Sequence, residues 1–243
     1  MTARTAPSVP TAAPATAPDA AHQGFLLPVV GGAGLAHLLN DMIQAMLPAI
    51  FPMLKAGFSL SFAQIGIIAL VYQVTASLLQ PWIGLYTDKH PKPLLLPAGM
   101  GMTFLGVGLL ATAGSYAMLL VAAAVVGVGS ATFHPEASRI ARLASGGRFG
   151  TAQSTFQVGG NSGTAIGPLL AAAIVIPYGQ RAVAWFMLVA LAAIAVLYRL
   201  TLWVRHHGAA KARGLAHHHG EGLGRAAVVR AVCSEMASSR PAR

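Results

Sequence analysis

Six long apolar stretches, separated by short polar loops, constrain this sequence more than any other feature. A helix rises about 1.5 Å per residue, so about 20 residues cross a hydrocarbon core of about 30 Å. The stretches run over about Phe25–Leu54, Phe62–Tyr86, Leu94–Thr112, Tyr116–Phe133, Gln153–Pro177 and Val183–Val204. They lack the alternation of a barrel wall, which leaves helices as the spanning element. Pro28, Pro48 and Pro52 in the first stretch predict kinks near its ends. The expected fold is an all-α membrane protein with six transmembrane helices over residues 25–205.

Charge supports this reading. Only 9% of the residues are charged, against about 25% in a soluble domain that must wet its surface. Between Phe25 and Val204 the acidic residues are Asp41, Asp88 and Glu136 alone. In a soluble chain a net charge of +10 would favour nucleic acid. Here the basic residues sit in loops and tail, so the expected partner is a lipid bilayer and no nucleic-acid partner is expected. With the N-terminus inside, Lys89, Lys92, Arg139, Arg142, Arg148 and Arg205 fall on the cytoplasmic side, against Lys55 and Arg181 outside. The positive-inside rule then places both termini in the cytoplasm. Tyr198, Arg199 and Trp203 read as an interfacial anchor at the end of the sixth stretch.

The ends differ in character. Residues 1–24 repeat Pro, Ala and Thr around one arginine and read as a disordered leader. Residues 206–243 hold no apolar window and are rich in Arg, Ala, Gly and His, as expected of a basic disordered tail or of a reading frame that has slipped. The tail run His217–His219 lacks paired ligands at fixed spacing, so neither a metal nor another cofactor is expected. The single cysteine, Cys233, excludes an internal disulfide.

Ionisable groups at bilayer depth are costly and usually face a bundle interior or water. The first stretch offers His37, Asn40, Asp41 and Gln44 near its middle. His37 and Asp41 are four apart, hence stacked on one helix face, with Gln44 a further turn along. A carboxylate beside an imidazole in a low dielectric is suited to exchanging a proton near neutral pH. The alternative is a structural pair that only joins helices. The fourth stretch ends in Phe133-His134-Pro135-Glu136, near the inner interface, where His134 and Glu136 read either as a proton stop or as an ordinary terminus with Glu136 paired to Arg139. In the fifth, Gly159, Gly163 and Gly167 are four apart and precede Pro168, a signal for close helix packing and bending. Gln153, Gln157, Asn161 and Thr164 would then line a cavity on the opposite face.

The loop after the second stretch reads Gly84-Leu-Tyr-Thr-Asp88-Lys89-His90-Pro91-Lys92. It resembles the G-x-x-x-D-[RK]-x-G-[RK]-[RK] gating-loop signature of the major facilitator superfamily, with Pro91 in place of the glycine and Pro93 in place of the last basic residue. The set His37-Leu-Leu-Asn40-Asp41, Leu47-Pro48-x-x-x-Pro52, Thr87-Asp88 and Phe133-His134-Pro135-Glu136-Ala137-Ser138-Arg139 is similar to the fosmidomycin-resistance branch of that superfamily. The similarity covers about residues 30–205 and implies the N-terminal half of a twelve-helix bundle in the bacterial cytoplasmic membrane. It further implies an antibiotic efflux antiporter that exchanges a small-molecule substrate for protons at a site between two six-helix halves.

Two departures matter. Drug antiporters of the superfamily often carry an arginine three residues before a glycine in helix four, where this chain has Ala124 before Gly127. Suspicion for coupling therefore falls on His37 and Asp41. In helix five Ala171 and Ala172 stand where the antiporter motif has glycines. One half supplies one wall of the cavity, so the chain is expected either to be truncated or to pair with a second half, a homodimer included.

Two other classes compete. Gly160-Asn161-Ser162-Gly163 fits the G-x-S-G of rhomboid proteases, but the sixth stretch holds no histidine to serve as base, so no enzyme is expected. A scaffold or channel of six helices that transports nothing by alternating access is the other. In every transmembrane case the expressed chain sediments with membranes and leaves them only in detergent; recovery as a detergent-free soluble monomer would overturn the reading.

Overall fold

The order of helices follows from where polar caps and prolines interrupt the apolar stretches. A computed structural model describes residues 24–90, 92 and 94–205. The expectations placed on the leader, on Pro91 and Pro93 and on the tail 206–243 lie outside the described residues. Those described form α1 (Leu27–Ala49), α2 (Phe51–Gly57), α3 (Phe62–Lys89), α4 (Leu95–Thr112), α5 (Tyr116–Leu143), α6 (Phe149–Leu170), a short α7 (Ile176–Tyr178) and α8 (Trp185–Trp203). A π-turn over Ala171–Val175 joins α6 to α7, and a 3-10 turn over Gln180–Ala184 leads into α8.

Among the described residues five stretches are long and apolar enough to cross a membrane: Phe62–Lys89, Leu95–Thr112, Tyr116–Leu143, Phe149–Tyr178 and Gln180–Trp203. The sixth span is α1, whose 23 residues extend about 35 Å. Its polar residues lower its hydropathy, but they turn inward rather than to lipid.

Three boundaries differ from those read in the sequence. The first stretch does not continue to Leu54: α1 stops at Ala49, and α2 starts afresh with Pro52 in its first turn. Pro52 has no N–H to donate to the carbonyl of Pro48, so the chain turns at Ile50. The fourth stretch does not end at Phe133, because α5 runs on to Leu143 with Pro135 inside it. The fifth is not uniform: α6 stops at Leu170 and the chain widens into the π-turn before Pro177. Side-chain caps mark the starts of α3 and α5. Ser61 and Gln64 form a reciprocal capping box at the start of α3, with Gln64 N to Ser61 Oγ at 3.2 Å and Ser61 N to Gln64 Oε1 at 2.8 Å. Gln180 donates to the carbonyls of Leu110 and Ala113 at 2.8 and 2.9 Å, tying the end of α4 to the start of α8.

Large apolar side chains face outward as well as inward. Leu70, Leu78, Trp82 and Leu85 of α3 are exposed, whereas its buried residues are Ile68, Ala76 and Thr87. Lipid tails are as apolar as leucine, so burial alone does not draw helices together and small residues set the closest contacts. The closest contact joins α1 and α6, which run parallel. A side chain at Gly159 would strike the carbonyl of Gly34, one at Gly163 that of Leu38, and one at Gly167 that of Met42. Both rows advance four residues at a time, so the two backbones lie one against the other over two helical turns. Helix α5 packs between α3 and α4, and α8 closes the bundle against α1 and α4.

The contact predicts an asymmetry among glycines. Gly163→Leu forces α1 and α6 apart and lowers stability by about 1–3 kcal/mol or more. Gly101→Ala, where the new methyl meets nothing within 4 Å, changes it by less than about 1 kcal/mol. Thermal unfolding in detergent distinguishes the two; equal effects would remove the backbone contact as the explanation.

Candidate functional site

The α1–α6 contact carries a histidine into the middle of the bundle. A side chain at Gly160 would occupy the place of the His37 ring, so the glycine makes room for it. The ring stacks on Phe156 of α6 at 4.0 Å between centroids and meets the edge of His134 at 5.2 Å. Its Nδ1 lies 2.8 Å from the backbone carbonyl of Phe156. A carbonyl only accepts, so Nδ1 carries the hydrogen and donates.

That assignment decides the other nitrogen. His37 Nε2 faces Asp41 Oδ2 at 3.2 Å, one helical turn along α1. A neutral ring protonated on Nδ1 presents a lone pair to the carboxylate, and two acceptors do not bind each other. A hydrogen bond across this contact therefore requires one further proton, on the ring or on the acid. The second oxygen, Oδ1, accepts from Asn40 Nδ2 at 2.9 Å and from Gln44 Nε2 at 3.4 Å. Gln44 is itself held by the hydroxyl of Tyr72 on α3, which donates to its Oε1 at 2.5 Å. His134 completes the group from α5, with Nε2 at 4.0 Å from Asp41 Oδ1.

The depth of this group corrects one expectation. His134 does not sit near the inner interface. The start of α1 and the end of α5 are tied together by Leu26 N to the carbonyl of Ala144 at 3.0 Å. His37 and His134 stand 11 and 10 residues from those points, about 15 Å along either helix. Beside them opens a cavity of about 520 Å3. His37, Asp41 and His134 form part of its wall, and neutral polar side chains, Gln80 of α3, Ser138 of α5 and Gln153, Gln157 and Asn161 of α6, form much of the rest. Thr164 is exposed and lies outside that lining.

Other residues singled out in the sequence lie elsewhere. Glu136 is buried and paired with Arg139 at 2.5 Å, and it does not line the cavity. Asp88 and Lys89 are exposed at the last turn of α3, and Asp88 makes no ion pair among the described residues. Lys92 Nζ lies 5.2 Å from the Tyr86 ring centroid, and Gly84 faces Pro135. Pro168 lies inside α6, one turn before the π-turn. Ser162 Oγ donates to the carbonyl of Val158 at 2.7 Å, while both nitrogens of His37 are engaged elsewhere, so the serine–histidine arrangement of a protease is not formed. Tyr72, Gln80 and the Phe156 carbonyl were not foreseen. A phenol and an amide at mid-span were visible signals for the first two; a backbone carbonyl leaves none.

Fold and site together define a multi-pass membrane protein whose helices carry an open cleft bordered by ionisable groups. This chain belongs to the major facilitator superfamily: the Major Facilitator Superfamily profile matches residues 33–239. It is 58% identical over 175 residues to the fosmidomycin resistance protein of Escherichia coli (strain K12), covering 72% of this chain and 43% of that protein. It is 47% identical over 170 residues to the uncharacterized MFS-type transporter YfnC of Bacillus subtilis (strain 168), covering 70% of this chain and 42% of that one. The chain thus spans less than half the length of either relative.

The clamp on His37 is open to test. Gly160→Ala displaces the ring and removes the Nδ1–H···O bond, which nitrogen-15 shifts of labelled histidine report directly. Gly150→Ala, with open space around its methyl, leaves the signal unchanged. A His37 signal showing Nε2–H and bare Nδ1 in the unmodified chain would refute the tautomer.

Proposed function

We propose that this chain forms one wall of a proton-coupled efflux transporter in a bacterial cytoplasmic membrane. The observation that carries the reading is the 3.2 Å contact between His37 Nε2 and Asp41 Oδ2, buried within the bundle and bordering a cavity. An unneeded charge there would cost about 2.5–3.5 kcal/mol on insertion scales, which favours a role in handling protons or solute. With the proton present, imidazolium and carboxylate attract. When it leaves, a lone pair and an anion face each other across 3.2 Å, and one of them must turn away. Because Nδ1 is anchored on α6, the strain falls on the α1–α6 pair, so proton occupancy is linked to helix position. In this reading His134, 4.0 Å from Asp41 Oδ1, receives the proton from the cavity side, while Asn40 and Gln44 steady the carboxylate.

The similarity to the fosmidomycin resistance protein supports efflux of a small anionic or amphiphilic compound by antiport with protons. Gln80, Gln153, Gln157 and Asn161 supply hydrogen bonds of either sense to it. The facing wall comes from a second six-helix unit, a further part of the same protein or another copy, because alternating access rocks one bundle against the other. Arg142 and Arg148, near Leu26 and Ala144, support a cytoplasmic placement of that end and, with it, of both termini.

In energised membrane vesicles carrying the transporter, Asp41→Asn lowers proton-coupled efflux by about 100-fold or more, the scale of losing a positioned proton carrier. Asn161→Ala raises the half-saturating substrate concentration while proton coupling persists. Undiminished proton-driven efflux in Asp41→Asn would exclude Asp41 as the carrier.

A further inference from the structure

From the same cluster we infer a second ligand: His37, Asp41 and His134 form a site for a divalent transition-metal ion of the zinc or cobalt class. Their ligand atoms, two imidazole nitrogens and a carboxylate oxygen, all lie within 4.8 Å of one another. Bonds of about 2.0–2.1 Å place tetrahedral ligands about 3.3 Å apart. His37 Nε2 and Asp41 Oδ2 are already at 3.2 Å, and His134 Nε2, at 4.0 Å from Asp41 Oδ1, closes the set by a small swing of a half-buried side chain.

The surroundings are those of a ligating group. A metal-bound imidazole nearly always gives its other N–H to a backbone carbonyl or carboxylate, which orients the ring. His37 Nδ1 is held in this way by the Phe156 carbonyl. The carboxylate is likewise steadied, by Asn40 and Gln44. Two nitrogens and one oxygen select zinc, cobalt or nickel over magnesium or calcium, which prefer all-oxygen cages. Three protein ligands leave a fourth position, and the cavity supplies water or a coordinating solute to fill it. The ion needs lone pairs that a proton also occupies, so the two compete. The inference rests on geometry and holds whether or not the chain moves any solute.

The test uses the full chain, purified in detergent and stripped of metal, with His206, His207 and His217–His219 changed to Gln in every sample to remove tail binding. Cobalt(II) is added and its visible absorption followed, then displaced with zinc. One cobalt per chain is expected, with the band of a four-coordinate nitrogen–oxygen site that excess magnesium leaves intact. His134→Ala, at the cavity edge and least able to disturb packing, weakens binding by about 100-fold, and Asn40→Ala by about 10-fold. Monodisperse elution and unchanged tryptophan emission verify that each variant is folded. Absence of the band, or a cobalt affinity unmoved by His134→Ala, overturns the site. Either result leaves the Asp41→Asn efflux measurement to judge the transport reading separately.

Discussion

Contact between the backbones of α1 and α6 is the constraint on which the rest of this bundle depends. Gly159, Gly163 and Gly167 meet the carbonyls of Gly34, Leu38 and Met42 with no side chain between them. In lipid no hydrophobic force presses helices together, so close approach and the dispersion it permits must hold them. The same approach brings the Phe156 carbonyl within hydrogen-bonding distance of His37 and leaves the ring one permitted orientation. A packing device and a chemical site therefore share residues, and Gly160 belongs to both.

The site is polar but not wasteful of charge. Of the intramembrane carboxylates, Glu136 is neutralised within its own helix by Arg139, while Asp41 is surrounded by donors that are themselves neutral or exchangeable. This division separates an arginine–carboxylate pair from a carboxylate flanked by two histidines. The second group opens on the cavity, whose lining also carries the neutral amides of Gln80, Gln153, Gln157 and Asn161. Tyr72 extends the arrangement to α3 through Gln44, so that α1, α3 and α5 are linked at one carboxylate, and α6 joins through His37.

Much of this was legible in the chain. The apolar stretches announced six spans because hydropathy summed over about 20 residues outweighs local irregularity. His37 and Asp41 could be paired at once, since four residues on a helix is a fixed distance. The glycine row of α6 was visible for the same reason. Boundaries were less secure. Apolar content carries no mark of where a helix stops, so the break at Ile50, the continuation of α5 through Pro135 and the π-turn after Leu170 came from backbone hydrogen bonding instead. His134 was misplaced in depth because a proline and a glutamate beside it resemble a helix end, whereas the helix runs on to Leu143.

By itself, then, the sequence determined the solvent, the number of spans and those pairings that lie within one helix, because each depends on local spacing and on summed transfer energy. Only the tertiary structure decided that His134 faces Asp41 across 93 positions of chain, that Glu136 turns away and that Tyr72 and a backbone carbonyl take part. Those facts depend on how far each helix slides and turns against its neighbour. That is set by which small residues meet at the contact, a property of pairs of helices that no single stretch of residues contains.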